Sequence, residues 1–149
     1  MIVGEACNRT VIIVDRDDSV YESARLMREH HVGSVIVTAW ENGKSSPVGI
    51  LTDRDIVIEL IAKEIDPAEL TVGDVIGPEL ITVNDKDGVM EALKKMGEKG
   101  IRRAPVIDQA GTLIGILAVD DVLELVTEQL HDLTRLIRQE QRTEQRVRN

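Results

Sequence analysis

Gly49-Ile50-Leu51-Thr52-Asp53-Arg54-Asp55 decides the fold of this chain, because its pattern returns 66 residues later as Gly115-Ile116-Leu117-Ala118-Val119-Asp120-Asp121. Upstream of it, identical residues recur 69 positions apart; the first such pair is Val14 and Val83, and the last is Val37 and Val106. The two shifts differ because the loop at 38–48 is longer than its counterpart at 108–114. Such a duplication predicts two copies of one unit, each covering the apolar face of the other. A cleft between the copies is the place to look for function.

Within each copy, short β-branched runs alternate with stretches of helical periodicity. Ser19 and Glu22 predict a capping box on a helix over 19–31, and Thr52 or Asp53 can cap a second helix over 54–63. The polar, turn-rich stretch 40–47 predicts a hairpin loop. Short leading segments at 3–8 and 72–77 predict one helical turn each. Both copies therefore are predicted to be β-α-β-β-α, with strands near 11–14, 35–37 and 48–51, then 80–83, 104–107 and 113–117.

The composition indicates a packed aliphatic core and excludes some partners. Hydrophobic residues make up 42% of the 149 residues, with one Trp, one Tyr and no Phe. A net charge of −9 argues against general nucleic-acid binding, since phosphate-backbone affinity comes from Lys and Arg. No apolar run approaches the roughly 18 residues that span a bilayer, and the first residues lack a signal-peptide pattern. With a single cysteine, Cys7, we expect a cytoplasmic protein that contacts no membrane.

The recurring pattern resembles a tandem cystathionine-β-synthase (CBS) domain pair, also called a Bateman module. The resemblance is carried by Gly49-Ile50-Leu51-Thr52-Asp53-Arg54-Asp55-Ile56 in one copy and Arg103-Ala104-Pro105-Val106-Ile107-Asp108 in the other. It implies an α/β (α+β) fold of two pseudo-symmetric β-α-β-β-α repeats, at 1–66 and 67–127, followed by a long C-terminal amphipathic helical extension at 128–149.

The resemblance further implies a regulatory module without chemistry of its own, which binds an adenosine-containing ligand between its repeats. In such modules the Asp that ends Thr-x-x-Asp accepts hydrogen bonds from the ribose hydroxyls, and the matching residues are Asp55 and Asp121. A carboxylate suits this role because it offers two acceptor oxygens to two neighbouring hydroxyls. Both could instead be ordinary acids of a helix first turn. In the second copy Ala118 replaces Thr52, and its side chain cannot form a hydrogen bond.

Four residues are candidates to bind phosphate: Thr52, Arg54, Arg102 and Arg103. Two adjacent guanidiniums can hold a di- or triphosphate through paired hydrogen bonds, although each arginine has the alternative of a solvated surface charge. Whether the Arg102 and Arg103 pair serves Asp55 or Asp121 is open. AMP, ADP or ATP is the expected ligand; NAD(H) is the nearest rival, and S-adenosylmethionine, which has no phosphate, ranks lower. Family analogy predicts that the adenine pocket is formed by Ile12, Ile13, Val32, Val35 and Ile36 in one copy and by Thr82, Ile101 and Pro105 in the other.

The C-terminal part of the chain predicts one long amphipathic helix from about Asp120 to Arg146, because it contains no Gly or Pro. Apolar residues recur there at three- and four-residue steps up to Ile137. We expect the outer half to pack on another chain or along its own module, and the resemblance implies a homodimer and an unidentified regulated protein. Glutamates interleaved with the arginines favour a solvated face over nucleic-acid binding.

Two other classes of protein compete with the sensor interpretation. The first is an interaction module with no ligand, in which Thr52 and Asp55 are only helix caps. The second is an enzyme or redox-responsive protein that uses Cys7, which would require an exposed thiol of low pKa. Cys7 aligns with Ile76, which favours a small buried hydrophobe instead. We predict no catalytic residues and no metal site: no nucleophile triad or P-loop is present, and the adjacent His30 and His31 diverge on a helix.

Overall fold

The structure, a computed structural model, describes residues 1–148 and contains two similar halves followed by a long helix. In the first half the elements are α1 (Val3–Ala6), β1 (Ile13–Asp15), α2 (Val20–His30), β2 (Ser34–Glu41), β3 (Lys44–Thr52) and α3 (Asp53–Glu59), which is followed by a 3-10 turn at Ile61–Lys63. In the second half they are α4 (Val72–Val75), β4 (Val83–Asn84), α5 (Val89–Glu98), β5 (Arg103–Ile107), β6 (Leu113–Ala118) and α6 (Val119–Arg148).

Each half contains a three-stranded sheet with the same topology and register. The strand orders are β1-β2-β3 and β4-β5-β6, with the first pair parallel and the second antiparallel in each sheet. Val14 pairs with Val37 in one sheet, and Val83 pairs with Val106 in the other. These are the residues that recur at a shift of 69 in the sequence. The predicted fold class, two pseudo-symmetric repeats with a C-terminal helix, is therefore confirmed.

The two aliphatic cores exchange their leading helical turns. Val3 and Ala6 of α1 pack in the core of the second half, with Val83, Met96 and Leu117. In α4, Val72 packs in the core of the first half instead. Each exchange is held by backbone hydrogen bonds from a leading turn to the loop before the opposite helix, such as Gly4 N–H to Asp85 O at 2.9 Å and Gly73 N–H to Arg16 O at 2.8 Å. The halves are therefore interlocked. The predicted domain boundaries at 66/67 and 127/128 separate the repeats in the sequence, but residues on both sides of 66/67 pack in each core. These boundaries stay a prediction.

The hairpin of the first half differs from the prediction. Instead of a loop over 40–47, β2 extends to Glu41 and β3 begins at Lys44, so that only Asn42 and Gly43 form the turn. Both have positive φ, 51° and 78°, as a type I′ turn requires. Asn-Gly between pairing strands is the sequence signal for this turn, and the extra residues lengthen the strands rather than the loop.

The helices begin where the sequence predicts and differ in how they end. The Ser19 side chain accepts from the Glu22 N–H at 3.1 Å, which confirms the N-cap of α2. Glu22 does not return the capping-box bond, because its carboxylate binds the Arg25 guanidinium at 2.6 Å. The helix predicted over 54–63 is split after Glu59, and Glu64 then takes a left-handed conformation. Among residues 1–148, no helix is long and apolar enough to cross a membrane.

Candidate functional site

Asp55 is held at the start of α3 by a reciprocal capping box. The Thr52 hydroxyl accepts from the Asp55 N–H at 3.1 Å, and Asp55 Oδ2 accepts from the Thr52 N–H at 3.0 Å. The second oxygen, Oδ1, is not part of the box. The helix-cap interpretation of Asp55 is therefore correct for one oxygen, while the other remains an acceptor for a ligand hydroxyl.

Asp121 occupies the matching position in α6 but lacks the matching box. Ala118 replaces the capping hydroxyl, as the sequence indicated, and the half-buried Asp121 side chain has no described hydrogen bond. The start of α6 is instead tied to the sheet: the Val119 N–H donates to Arg102 O at 2.9 Å, as Asp53 N–H does to Gly33 O at 3.0 Å in the first half. Asp121 thus keeps both carboxylate oxygens available, on a helix start that no side chain caps.

A cavity of about 520 Å³ lies beside Asp55 and is formed by both repeats. Thr52 and Asp55 contribute from the β3–α3 junction, and Arg102 and Arg103 contribute from the start of β5. The full lining is Ile50, Thr52, Asp53, Arg54, Asp55, Gly100, Ile101, Arg102, Arg103 and Asp120. Arg102, from the second repeat, lines the cavity of Asp55, whereas Arg103 lines this cavity and the second one.

A second cavity, of about 260 Å³, lies beside Asp121 and is related to the first by the pseudo-symmetry. The first repeat contributes the start of β2 to this cavity, so Ser34 occupies the position that Arg103, at the start of β5, has in the other cavity. The lining is Asn8, Thr10, Val11, Ile12, His31, Val32, Gly33, Ser34, Ile36, Arg103, Ile116, Ala118, Asp120 and Asp121. Arg103 and Asp120 line both cavities, which places the two half-sites side by side.

The charges of the two cavities differ. Around Asp55, three arginines, Arg54, Arg102 and Arg103, balance three aspartates, whereas around Asp121 only Arg103 opposes Asp120 and Asp121. Arg102 Nη2 binds Asp120 Oδ1 at 2.8 Å, with side chains 75% and 58% exposed. An ion pair this exposed contributes little stability, so a phosphate can compete with Asp120 for the guanidinium. The Asp55 cavity is the better electrostatic match for an anionic ligand.

Of the residues predicted to surround adenine, five in the first copy and three in the second, only some line a cavity. Ile12, Val32 and Ile36 line the Asp121 cavity, and Ile101 lines the Asp55 cavity. Four others line neither: Ile13, Val35, Thr82 and Pro105. Ile13 is 51% exposed, Val35 and Pro105 are buried within the sheets, and Thr82 O accepts from Lys95 Nζ at 2.9 Å. Alternation along a strand sends neighbouring side chains to opposite faces, so in β2 Ile36 lines the Asp121 cavity while Val35 packs in the core of the first half.

Several lining residues escaped the sequence interpretation. Asp120 corresponds to Arg54 at the shift of 66 and reverses its charge within the site. His31, the left-handed C-cap of α2, and Ser34 line the Asp121 cavity. The repeat places Gly33 and Ser34, which are small and uncharged, where the second copy has Arg102 and Arg103. No sequence pattern predicted Asn8 and Thr10 as site residues, because they reach the Asp121 cavity only through the exchange of the leading turns.

Cys7 is placed as a packing residue. Its Sγ would lie 3.0 Å from a Cβ on Gly115, just as Ile76 Cδ1 would lie 2.7 Å from a Cβ on Gly49. Burial raises the pKa of the Cys7 thiol, an effect that the positive charge of Arg9 only partly offsets. A protonated, half-buried thiol is a poor nucleophile, which argues against the redox alternative. Among residues 1–148, no group of three or more His, Cys, Asp or Glu side chains is placed to hold a metal ion.

This architecture, two interlocked repeats with paired cavities at their helix starts, is that of a CBS domain pair, a regulatory module. The family model described as CBS domain matches residues 3–62 and 72–128, and the chain belongs to this family. It is 41% identical over 123 residues to the uncharacterized protein MK0525 of Methanopyrus kandleri, covering 83% of this chain and 61% of that protein. The chain thus spans less than two thirds of that relative's length.

Two solved structures show the same fold. The hexameric CBS-CP12 protein from bloom-forming cyanobacteria superposes with a TM-score of 0.74 at 30% identity, covering 83% of this chain and 66% of that one. The CBS domain pair of protein MJ0100, solved in complex with 5′-methylthioadenosine and S-adenosyl-L-methionine, superposes with a TM-score of 0.74 at 22% identity. That match covers 87% of this chain and 98% of the other.

Proposed function

We propose that this chain is a non-catalytic sensor that binds an adenine nucleotide, AMP, ADP or ATP, in the Asp55 cavity. The observation that carries the proposal is the convergence, from opposite repeats, of one ribose-type carboxylate and three arginines on one cavity. Asp55 Oδ1 accepts from the ribose hydroxyls, and Arg102 and Arg103 hold the phosphates.

Signalling follows from the way the cavity is built. Because the ribose contact and the phosphate contacts come from different repeats, a bound nucleotide links the repeats and favours one relative arrangement. A ligand shifts such an equilibrium only through unequal affinity for the two arrangements. We propose that a homodimer of the module transmits this shift to a regulated partner protein in the cytoplasm. NAD(H) remains the rival phosphate-containing ligand.

A second ligand class fits the Asp121 cavity. With Asp120 and Asp121 against Arg103, that cavity favours an uncharged or cationic adenosyl compound over a nucleotide. S-adenosylmethionine, whose sulfonium is positive, belongs to this class. The ligands of the MJ0100 domain pair are of the same chemical kind, which supports the choice.

The test is a thermal-shift panel of AMP, ADP, ATP, NADH, S-adenosylmethionine and GTP on wild type, Asp55→Asn and Asp121→Asn. Asparagine keeps an oxygen that can accept from the Thr52 N–H, so the helix cap is preserved while the charged ribose acceptor is lost. A ligand at 100 times its Kd stabilises the folded state by about 2.7 kcal/mol. We expect adenine nucleotides to stabilise wild type and Asp121→Asn but not Asp55→Asn.

Two controls separate the alternatives. Protein refolded after removal of any co-purified nucleotide must be shown to be folded before the panel is run. If no ligand then shifts the melting temperature, the pure interaction module replaces the sensor. Stabilisation by GTP equal to that by ATP would contradict the adenine specificity but leave the phosphate site in place.

A further inference from the structure

The outer part of α6 is an exposed helix with a well-defined apolar seam. The helix runs from Val119 to Arg148, about 45 Å at the standard rise, and every described residue from Val126 onward is exposed. Only its first turns reach the core of the second repeat, through Val122 and Leu125. The seam consists of Leu123, Val126, Leu130, Leu133 and Ile137, which are 38–64% exposed.

The spacing of this seam is that of a coiled coil. Its steps are three, four, three and four residues, the a and d positions of successive heptads. The positions that flank the seam are uncharged from Thr127 to Thr143: Thr127, Gln129, Thr134, Leu136, Gln141 and Thr143. The charged residues of this stretch lie instead on the outer faces of the helix, apart from Glu140. An apolar stripe with neutral borders and a charged back favours burial against another helix.

The charges along α6 determine which orientation fits a second copy. The first half carries only acids, Asp120, Asp121, Glu124, Glu128 and Asp132, whereas the second half carries five arginines and two glutamates. Helix-dipole effects extend over only the first and last turns, so they do not account for this segregation. An antiparallel pair brings each acidic half beside a basic half, and a parallel pair brings like beside like.

The seam itself selects the same orientation. After Ile137 the next two seam positions are Glu140 and Glu144. In a parallel pair each glutamate would face its own copy in the seam, where like charges repel. In an antiparallel pair with Val126 opposite Ile137 and Leu130 opposite Leu133, Glu128 lies level with Arg135 and Asp121 with Arg142. Glu140 then lies opposite Leu123 at the edge of the apolar layers, so no seam glutamate faces another glutamate.

We propose that two copies of this chain associate through α6 as an antiparallel two-helix seam with these layers. Such an interface is isologous, since each copy uses the same surface. The proposal deepens the homodimer part of the proposed function and rests on it, but it does not depend on which nucleotide is bound. It places the two sensor modules at opposite ends of the helix pair.

Disulfide trapping in the full-length protein tests the orientation. In a Cys7→Ala background, which removes the one native thiol, Val126→Cys and Ile137→Cys variants of different mass are mixed, equilibrated and oxidised. We expect the mixed disulfide between positions 126 and 137 and few disulfides in either variant alone. Disulfides within each variant alone would show a parallel pair and overturn the proposal, because the two positions are about 16 Å apart along the helix.

A second pair of variants tests the surface without cysteines. Leu130→Glu with Leu133→Glu should convert the protein to a monomer in light scattering, with an unchanged circular dichroism spectrum, because both side chains are exposed. Gln139→Glu, on the outer face, should remain dimeric. If the double variant is still a dimer, the proposed α6 interface is wrong, although the protein remains a homodimer. If the wild type is a monomer, both the α6 interface and the homodimer are wrong. Neither result bears on nucleotide binding.

Discussion

Gly49 and Gly115 show how the pseudo-symmetry acts on single residues. They occupy the same position in β3 and β6, and each is crossed by the segment that follows the exchanged leading turn of the other repeat. A Cβ on Gly49 would lie 2.7 Å from Ile76 Cδ1, the end of a flexible side chain, whereas a Cβ on Gly115 would lie 2.5 Å from the backbone Asn8 O. That oxygen also accepts from the Ile116 N–H at 2.9 Å. The two sites therefore differ in how far the neighbour can move.

We expect Gly115→Ala to lower the free energy of unfolding by about 3 kcal/mol and Gly49→Ala by about 1 kcal/mol. The measurement is urea unfolding followed by circular dichroism. Ile76→Val, which removes the clashing Cδ1, should make the loss from Gly49→Ala smaller than it is in wild type. Equal losses at the two glycines would mean that the Asn8 backbone can move aside.

We expect Asp120 to weaken nucleotide binding in the proposed site. It holds Arg102 at 2.8 Å and adds a negative charge to both cavities. Asp120→Asn should tighten ATP binding by up to about fivefold, since an exposed ion pair is worth at most about 1 kcal/mol. Isothermal titration of wild type, Asp120→Asn and Asp108→Asn measures this effect. Asp108, in the β5–β6 turn, lines neither cavity and is the control; weaker binding by Asp120→Asn would give Asp120 a ligand-contacting role.

The Cys7 thiol makes stability depend on alkaline pH. Because burial raises its pKa, the folded state keeps the proton at pH values where the unfolded chain has lost it. This contribution is complete below the unfolded thiol pKa of about 8.5 and is lost as the pH rises through the folded value. Between pH 8 and pH 10, wild type should lose more unfolding free energy than Cys7→Ala. Parallel curves for the two proteins would show that the thiol is not perturbed.

At the scale of elements, the equivalent helices α3 and α6 differ in how their N-termini are capped. The β3–α3 junction has both bonds of the capping box, and the β6–α6 junction has none described from Ala118. Helix α3 is seven residues long, so its stability depends on its cap, whereas α6 continues for 30 residues. The longer helix therefore tolerates Ala118 at the position where α3 has the Thr52 hydroxyl.

Thr52→Ala should cost about 1 kcal/mol of unfolding free energy, because the Asp55 N–H loses its acceptor. Thr52→Ser keeps a hydroxyl at the same place and should retain most of the stability. Thermal unfolding without ligand separates this effect from any loss of phosphate binding. A Thr52→Ser protein as unstable as Thr52→Ala would assign the effect to the lost methyl group instead.

At the scale of the molecule, the exchanged leading turns make each half depend on residues of the other. Val3 and Val72 are equivalent and fully buried, but Val3 packs against β4 to β6 and α5, and Val72 packs against the first half. In the proposed sensor, a nucleotide that moves one repeat would strain or carry along a piece of the other. We therefore expect this interlocking to limit the relative motion of the repeats.

Val3→Ala should destabilise the protein by about 2 kcal/mol, from two lost methyl groups and the cavity that they leave. Hydrogen exchange should show the larger loss of amide protection in β5 and β6, not in the strands that follow Val3 directly. Val72→Ala is the matched control and should affect β2 and β3 most. The opposite pattern would mean that each leading turn stabilises its own repeat.

The local pattern of the sequence is sufficient for most of the elements. Residues at shifts of 69 and 66 become equivalent positions in two sheets, and Ser19 and Thr52 begin their helices, because strand alternation and helix capping depend on neighbours within a few positions. The Asn42-Gly43 turn was also readable in this way, although the polar residues around it suggested a longer loop. The family, the repeat and the candidate aspartates are determined at this level.

The tertiary structure alone decided which groups meet. Arg102 lines the Asp55 cavity and not the Asp121 cavity, Asp120 lines both, and Asn8 lines the second, because residues of both repeats form each cavity. No local pattern records that α1 and α4 change places, since Val3 and Val72 would be buried equally well in either core. Local sequence patterns therefore account for two similar units and their candidate residues, and the packing of one unit on the other accounts for which of those residues line a common cavity.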